Sequence, residues 1–290
     1  MIGAMTTVSE HTTSLDLPAG PTVDVNWLAA NLDRVVVVDA SAMDHRGADT
    51  GIPGARRFDL DGEMSADAQL PHTMPAAGDF AQRLGALGIG QDSVVVAYDR
   101  AGMFSSARAW WMLRAAGVGC PYVLDGGLPA WLAAGHPEGP LALTPQSVPA
   151  PVVSIADGAF IDDAEVAARL QNPTDVVVDV RSAGRFQGTA PEPREGMRGG
   201  HMPGSVNVPF TDLAPDGHLL SREELQGKFM EAGANRERMA FSCGSGITAC
   251  VGALAAVVAG AKDVTVYDGS WSDWGREDRD PAQRPVITGP

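Results

Sequence analysis

Phe241-Ser242-Cys243-Gly244-Ser245-Gly246-Ile247-Thr248-Ala249-Cys250 carries a short apolar strand into a glycine-rich loop, and the loop into a helix. Met239 to Ser242 read as the end of a buried strand, and Thr248 to Ala259 as an apolar, alanine-rich helix long enough to pack on a sheet. The turn between them therefore lies at a helix N-terminus. Gly244 and Gly246 let several backbone N–H groups converge there, and the helix dipole adds positive potential at the same point. Such a place favours a thiolate, the nucleophilic form of cysteine, so Cys243 reads as a reactive residue. Cys250, one helical position among alanines and valines, reads as a small buried packing residue. Cys120, at a strand start before Pro121, reads the same way.

Working outward from that stretch, the chain nearly repeats itself at about half its length. Val35 to Asp39 returns as Val176 to Asp179, and Ile52-Pro53-Gly54-Ala55 as Met202-Pro203-Gly204-Ser205. Val94 to Asp99 returns as Met239 to Cys243, and Asp125-Gly126-Gly127 with Trp131 as Asp268-Gly269-Ser270 with Trp274. In each copy short β-branched runs alternate with amphipathic or alanine-rich stretches such as Phe80 to Leu87, Ser105 to Ala116 and Asp162 to Gln171. This predicts an α/β fold of two tandem domains, each a mostly parallel central sheet with helices on both faces. Residues 18–140 form the first domain and 154–290 the second. The proline-rich, uncharged segment 141–153 reads as an extended linker. At the position of Cys243 the first copy has Asp99, in a loop without a nucleophile or doubled glycine, so that half is expected to be catalytically silent.

Composition bounds the partners. A formal net charge of −15 with no basic cluster argues against nucleic acid and against an anionic membrane surface. Three cysteines without CxxC-type spacing argue against a disulfide framework and a structural zinc site, which points to a reducing compartment. Met1 to Leu17 has neither a charged n-region nor an apolar h-region, and no run reaches membrane-span length. The expectation is a cytoplasmic protein with a disordered N-terminal tail. An internally duplicated chain builds its own two-domain cleft, which predicts a monomer.

Residues 243–248, Cys-Gly-Ser-Gly-Ile-Thr, resemble the active-site loop of the two-domain rhodanese-like sulfurtransferases, and within them the 3-mercaptopyruvate branch. The thiosulfate-using branch typically carries basic residues in this loop, and Ser245 with its glycine neighbours brings none. The resemblance covers nearly the whole chain. It implies a small-molecule sulfur donor, a Cys243 persulfide, a thiol acceptor such as thioredoxin, and no metal or organic cofactor. Gly244, Gly246, Ile247 and Thr248 would line the substrate site.

The second copy also carries an insertion, Gly184 to His201, absent from the first. Arg185 and Arg194 within it match the arginines that hold the substrate's carboxylate and keto oxygen in the family; a planar guanidinium binds a carboxylate bidentately. Arg198 reads equally well as part of a solvated loop. Asp179-Val180-Arg181 is expected to form an internal ion pair that pins the loop. On their residues alone, His72 reads as a surface histidine and Asp61 as a turn residue. By resemblance, Asp61, His72 and Ser245 form a relay able to move a proton to or from substrate. A cysteine phosphatase also cradles its thiolate at a helix start, but it needs an arginine after five intervening residues, and that place is Ala249 here. A non-enzymatic sulfur carrier is the remaining rival, disfavoured by the intact Cys243, Arg185 and Arg194.

Overall fold

Near-continuous runs such as Val94 to Tyr98 and Asp175 to Asp179 have apolar side chains on both sides of the pleat, which requires cover on both faces. The computed structural model, which describes residues 15–66 and 69–290, supplies that cover twice. The first sheet runs in the spatial order Thr22–Val23, Cys120–Leu124, Val94–Tyr98, Val36–Asp39, Arg56–Arg57. The second runs Phe160–Ile161, Asp263–Tyr267, Arg238–Ser242, Asp175–Asp179, Val206–Asn207, which is the same order of corresponding strands. Every pairing in both sheets is parallel. A small antiparallel pair, Thr50–Gly51 with Gly139–Pro140, lies outside them.

Side chains alternate between two cores in each half. Val38, Val95 and Ala97 join one cluster while Val37, Val96 and Tyr98 join another on the opposite face. In the second half Val176, Val178, Met239 and Phe241 face one core, and Val177, Ala240 and Tyr267 the other. The helices Ser106–Ala115 and Ala249–Ala259 pack together across the boundary, so that Met103, Ala107, Trp110 and Trp111 belong to the main core of the second half. Ile247, from the Cys243 loop, is buried in return within a core cluster of the first half. The two halves therefore share hydrophobic core, and the Cys243 loop is wedged between them.

Element ends differ from the sequence reading by one to three residues, the stretch read as Phe80 to Leu87 lying in a helix Ala77–Ala86, since helix ends are set by caps. The helix expected from Thr248 runs Ala249–Ala259 with Thr248 as its cap, and that expected over Asp162 to Gln171 runs Asp163–Leu170 behind an Asp162–Glu165 capping box. Segment 141–153 contains no helix or strand. The tail expected over Met1 to Leu17 lies, through Ser14, outside the described residues. Beyond it, Asp16 is anchored, its carbonyl accepting from the Trp27 indole at 3.0 Å. Cys120 is a correction: it is exposed, because it opens its strand at the sheet's rim and no element covers it. Cys250 is buried as expected. Among the described residues no helix is long and apolar enough to cross a membrane.

Gly252 lies where the alanine-rich helix crosses the strand leading to Cys243. An added Cβ would stand 2.4 Å from the Phe241 ring and 2.9 Å from Val180. Glycine to alanine inside a helix ordinarily gains up to about 1 kcal/mol, whereas overpacking a tight core costs about 1–3 kcal/mol. The clash should win. Gly252→Ala is expected to lower the urea midpoint at unchanged slope; an equal or higher midpoint would mean that helix and strand are less tightly apposed than described.

Candidate active site

Cys243 ends the strand Arg238–Ser242 and is only 2% exposed. Its N–H donates to Ser270 Oγ at 3.1 Å, and its carbonyl accepts from Trp271 N–H at 3.0 Å, so the last short helix of the chain fixes its backbone. Gly246 N–H donates to Cys243 Sγ at 3.2 Å. Gly246 has φ +83°, and a Cβ there would stand 2.8 Å from the Asp268 carbonyl, so the loop can close on the sulfur only with glycine at this position. The N–H groups of Ser245, Ile247, Thr248 and Ala249 have no acceptor among the described residues. The loop thus has donors to spare at a helix start, where added negative charge is favoured.

The first half has the same cradle, already filled. Asp99 Oδ2 accepts from the N–H groups of Phe104, Ser105 and Ser106 at 2.8–2.9 Å, and Oδ1 from Ala101 N–H at 2.9 Å. Four backbone donors of that loop are thus engaged by its own carboxylate.

His72 and Asp61, separated from Ser245 by more than 170 residues, are brought to it across the domain boundary. His72 Nδ1 lies 2.8 Å from Ser245 Oγ, and Nε2 2.7 Å from Asp61 Oδ1. With Asp61 ionised, Nε2 carries the hydrogen and Nδ1 is left to accept from the serine hydroxyl. His72 is 6% exposed, which corrects the surface reading that its own neighbours in sequence suggested. The hydrogen bond from His72, aided by Met43 N–H at 2.6 Å, holds the Asp61 carboxyl below the usual aspartate range against the opposing effect of burial. Cys250 sits one turn behind the loop, its Sγ donating to the Gly246 carbonyl at 3.3 Å. Burial pushes its thiol up to about 12, so it stays neutral beside the active loop.

The insertion brings its arginines to the same place. A Cβ on Gly244 would stand 3.1 Å from Arg185 Nη2, which puts that guanidinium directly against the loop. Arg194 Nη1 donates to Ser272 Oγ at 3.3 Å, and Ser272 Oγ to the Gly244 carbonyl at 2.6 Å. Both arginines line one cleft with Cys243, Gly244, Ser245, Ile247 and Thr248, under an edge-to-face pair formed by Phe104 of the first half and Phe210 of the second, centroids 5.8 Å apart.

The expected Asp179–Arg181 pair is present at 2.6 Å, both side chains fully buried. It continues through Glu192, which meets Arg181 Nη1 at 2.8 Å and Arg185 Nη2 at 2.6 Å. Two carboxylates and two guanidinia alternate, so the buried charges compensate one another. Arg194 has no carboxylate partner among the described residues, which makes it the uncompensated cation of the cleft. Arg198 is not part of a free loop: it donates to the carbonyls of Trp274 and Arg284 at 2.7 and 2.9 Å.

Glu192, Ser272 and the ion pair Arg108–Asp268, whose Arg108 Nη1 reaches the Gly246 carbonyl at 3.4 Å, stand at the site without having been read as site residues in the sequence. A signal existed for two of them. Glu192 stands between two prolines among the arginines of the insertion, and Arg108 interrupts an otherwise apolar Ala-Trp-Trp run, which calls for a buried partner.

A rhodanese-like domain model matches residues 24–134 and again 162–277. The chain is 43% identical over 230 residues to human 3-mercaptopyruvate sulfurtransferase, covering 77% of this chain and 76% of that protein. It is 36% identical over 302 residues to the Arabidopsis thaliana thiosulfate/3-mercaptopyruvate sulfurtransferase 1, covering 92% and 79%. Its structure superposes on the crystal structure of SseA from Escherichia coli, a 3-mercaptopyruvate sulfotransferase, with TM-score 0.75 and 32% identity over 88% of this chain and all of that one. Two copies of one domain, one with its cradle self-filled and one with a cysteine in it, agree with these likenesses: the chain belongs to the two-domain rhodanese-like sulfurtransferases.

Proposed function

We propose that this sulfurtransferase takes sulfur from 3-mercaptopyruvate onto Cys243 and passes it to a thiol, with release of pyruvate. The observation that carries this reading is the hydrogen-bonded line from Asp61 through His72 to Ser245, which ends in the Cys243 loop. Mercaptopyruvate has a thiol proton to be moved, and thiosulfate has none. The uncharged Gly244-Ser245-Gly246 run and the likeness to the human and Escherichia coli 3-mercaptopyruvate enzymes support the same donor.

In the first half-reaction the Cys243 thiolate attacks the donor sulfur. An S–S bond forms as the C–S bond breaks, and the C–S electron pair passes into the enolate of pyruvate. The thiol proton leaves through Ser245 and His72 and returns to the enolate carbon as pyruvate forms, with Asp61 steadying the imidazolium between the two transfers. Arg194 and the outer edge of Arg185 receive the carboxylate and the keto oxygen, where charge builds as the bond breaks. The terminal sulfur of the persulfide then lies among the unsatisfied N–H groups of the loop. In the second half-reaction a thiolate such as that of thioredoxin, or cyanide in an assay, attacks that sulfur, and Cys243 leaves as the thiolate. We infer a monomer working in a reducing, cytoplasmic setting; the odd cysteine count without CxxC-type spacing supports the reducing compartment, and the internal duplication, which builds its own two-domain cleft, supports the monomer.

Protein given 3-mercaptopyruvate without an acceptor should gain the mass of one sulfur atom on the peptide holding Cys243, and Cys243→Ser should not. With thiosulfate the gain should be slower at equal concentration. Faster loading from thiosulfate would favour the second donor named for the Arabidopsis relative, and sulfur mapped to Cys120 or Cys250 would mean a different nucleophile.

The arginines should separate in steady-state kinetics. Arg194→Met is expected to raise KM for mercaptopyruvate about 10- to 100-fold, the loss of one charge-assisted contact. Arg185→Lys should raise KM and lower kcat together, since an ammonium cannot grip both Glu192 and substrate. An unchanged KM in Arg194→Met would remove the carboxylate from that side of the cleft.

A further inference from the structure

Arg108 comes from the helix Ser106–Ala115 of the catalytically silent half, yet its side chain is fully buried at the second half's loop. Its Nη2 donates to the His72 carbonyl at 2.6 Å and to Asp268 Oδ1 at 2.7 Å, and its Nη1 reaches the Gly246 carbonyl at 3.4 Å. The guanidinium carbon lies 4.6 Å from the centre of the Phe160 ring. Asp268 uses its other oxygen to accept from Met74 N–H at 2.8 Å. The Arg108–Asp268 pair therefore holds the backbone that follows the His72 ring at two points: the carbonyl of His72 itself, and the N–H two residues on. His72 needs such holding, because its φ of +61° is one that a residue with a Cβ rarely adopts unaided. The Gly246 carbonyl belongs to the residue whose N–H donates to Cys243 Sγ. One buried cation thus joins the backbone that carries the imidazole to the backbone that carries the sulfur.

We infer that Arg108, locked by Asp268, is a positioning residue that sets the distance and angle of the His72–Ser245 contact across the domain boundary. This rests on the relay reading above. A contact of 2.8 Å between two domains is lost by a small rotation of one against the other, and proton transfer falls steeply with such a displacement. A buried guanidinium with one carboxylate and two carbonyls around it tolerates little rotation, since each partner lost leaves a buried charge less compensated. The shared apolar core resists separation of the halves, but it does not fix an angle. The directional hydrogen bonds of Arg108 do.

The test uses Arg108→Gln, Arg108→Lys and Asp268→Asn in the full chain, each with His72 intact and in the His72→Ala background, after circular dichroism and thermal unfolding. With His72 intact, Arg108→Gln should lower kcat for mercaptopyruvate about 10- to 100-fold, with KM changed much less and Cys243 loading from thiosulfate nearly unaffected. Arg108→Lys, which keeps the charge but not the fork, should fall between. In the His72→Ala background none of the three should add much. Asp268→Asn keeps the volume and the acceptor for Met74, so it serves even where a change at Arg108 prevents folding. Equal slowing with both donors, or full additivity with His72→Ala, would overturn the inference and leave Arg108 a packing residue. Nitrogen-15 shifts of the His72 ring give a readout independent of donor. Loss of the fixed tautomer in Arg108→Gln or Asp268→Asn supports the positioning role even if His72→Ala proves harmless and the relay reading fails, while an unchanged ring spectrum overturns it.

Discussion

The hydrogen bond between His72 and Ser245 joins side chains from different domains at 2.8 Å, and much of the molecule is arranged so that it can exist. Ile247 is buried in a core cluster of the first half, while Trp110 and Trp111 of the first half belong to the main core of the second. These apolar exchanges hold the domains together, and the buried Arg108–Asp268 pair gives the contact its direction. Hydrophobic burial is strong and non-directional, whereas hydrogen bonds to a buried cation are geometrically strict. A site shared between two domains needs both.

The duplicated architecture gives the site an internal comparison. The loop after Val94–Tyr98 and the loop after Arg238–Ser242 both present backbone donors at the start of a helix. In the first, the Asp99 side chain occupies the donors; in the second, a smaller thiol reaches only Gly246 N–H and leaves the others open. The loops differ at that side chain and in the doubled glycine, and open donors remain beside Cys243. The acidic chain as a whole repels anions weakly, yet the cleft at Cys243 contains Arg194, which has no carboxylate partner among the described residues, and Arg185 with only one edge engaged by Glu192. An anionic donor therefore finds local positive potential in a molecule of net charge −15.

The sheets were legible in the sequence because β-branched runs between glycines and prolines recur in the same order in both halves. Cys243 was legible because strand, glycine-rich loop and apolar helix stand next to one another in the chain. The hydrogen-bonded line Asp61–His72–Ser245 was not legible from residues alone. His72 sits in a loop whose own neighbours give no sign of burial, and the groups that meet it, Asp61 and Arg108 of its own half and Ser245 of the other, come from elsewhere in the chain. Only the resemblance linked it with Ser245. Cys120 misled because it is the first residue of its strand, beyond the reach of the outer strand Thr22–Val23, which pairs only with Val123 and Leu124. Glu192 went unread since a loop glutamate is ordinarily solvated, and its burial follows from the need to compensate Arg181, whose own burial is a tertiary fact.

The claim that the catalytic unit spans both domains is tested most directly by a double-mutant cycle on His72→Ala and Ser245→Ala, with turnover of mercaptopyruvate and thiosulfate measured on folded protein. Members of one relay fail together. Each single variant should slow mercaptopyruvate, the double should be little slower than either, and thiosulfate should be much less affected. Unchanged mercaptopyruvate turnover in His72→Ala, or losses that simply multiply in the double variant, would contradict the account and leave the first domain a purely structural role.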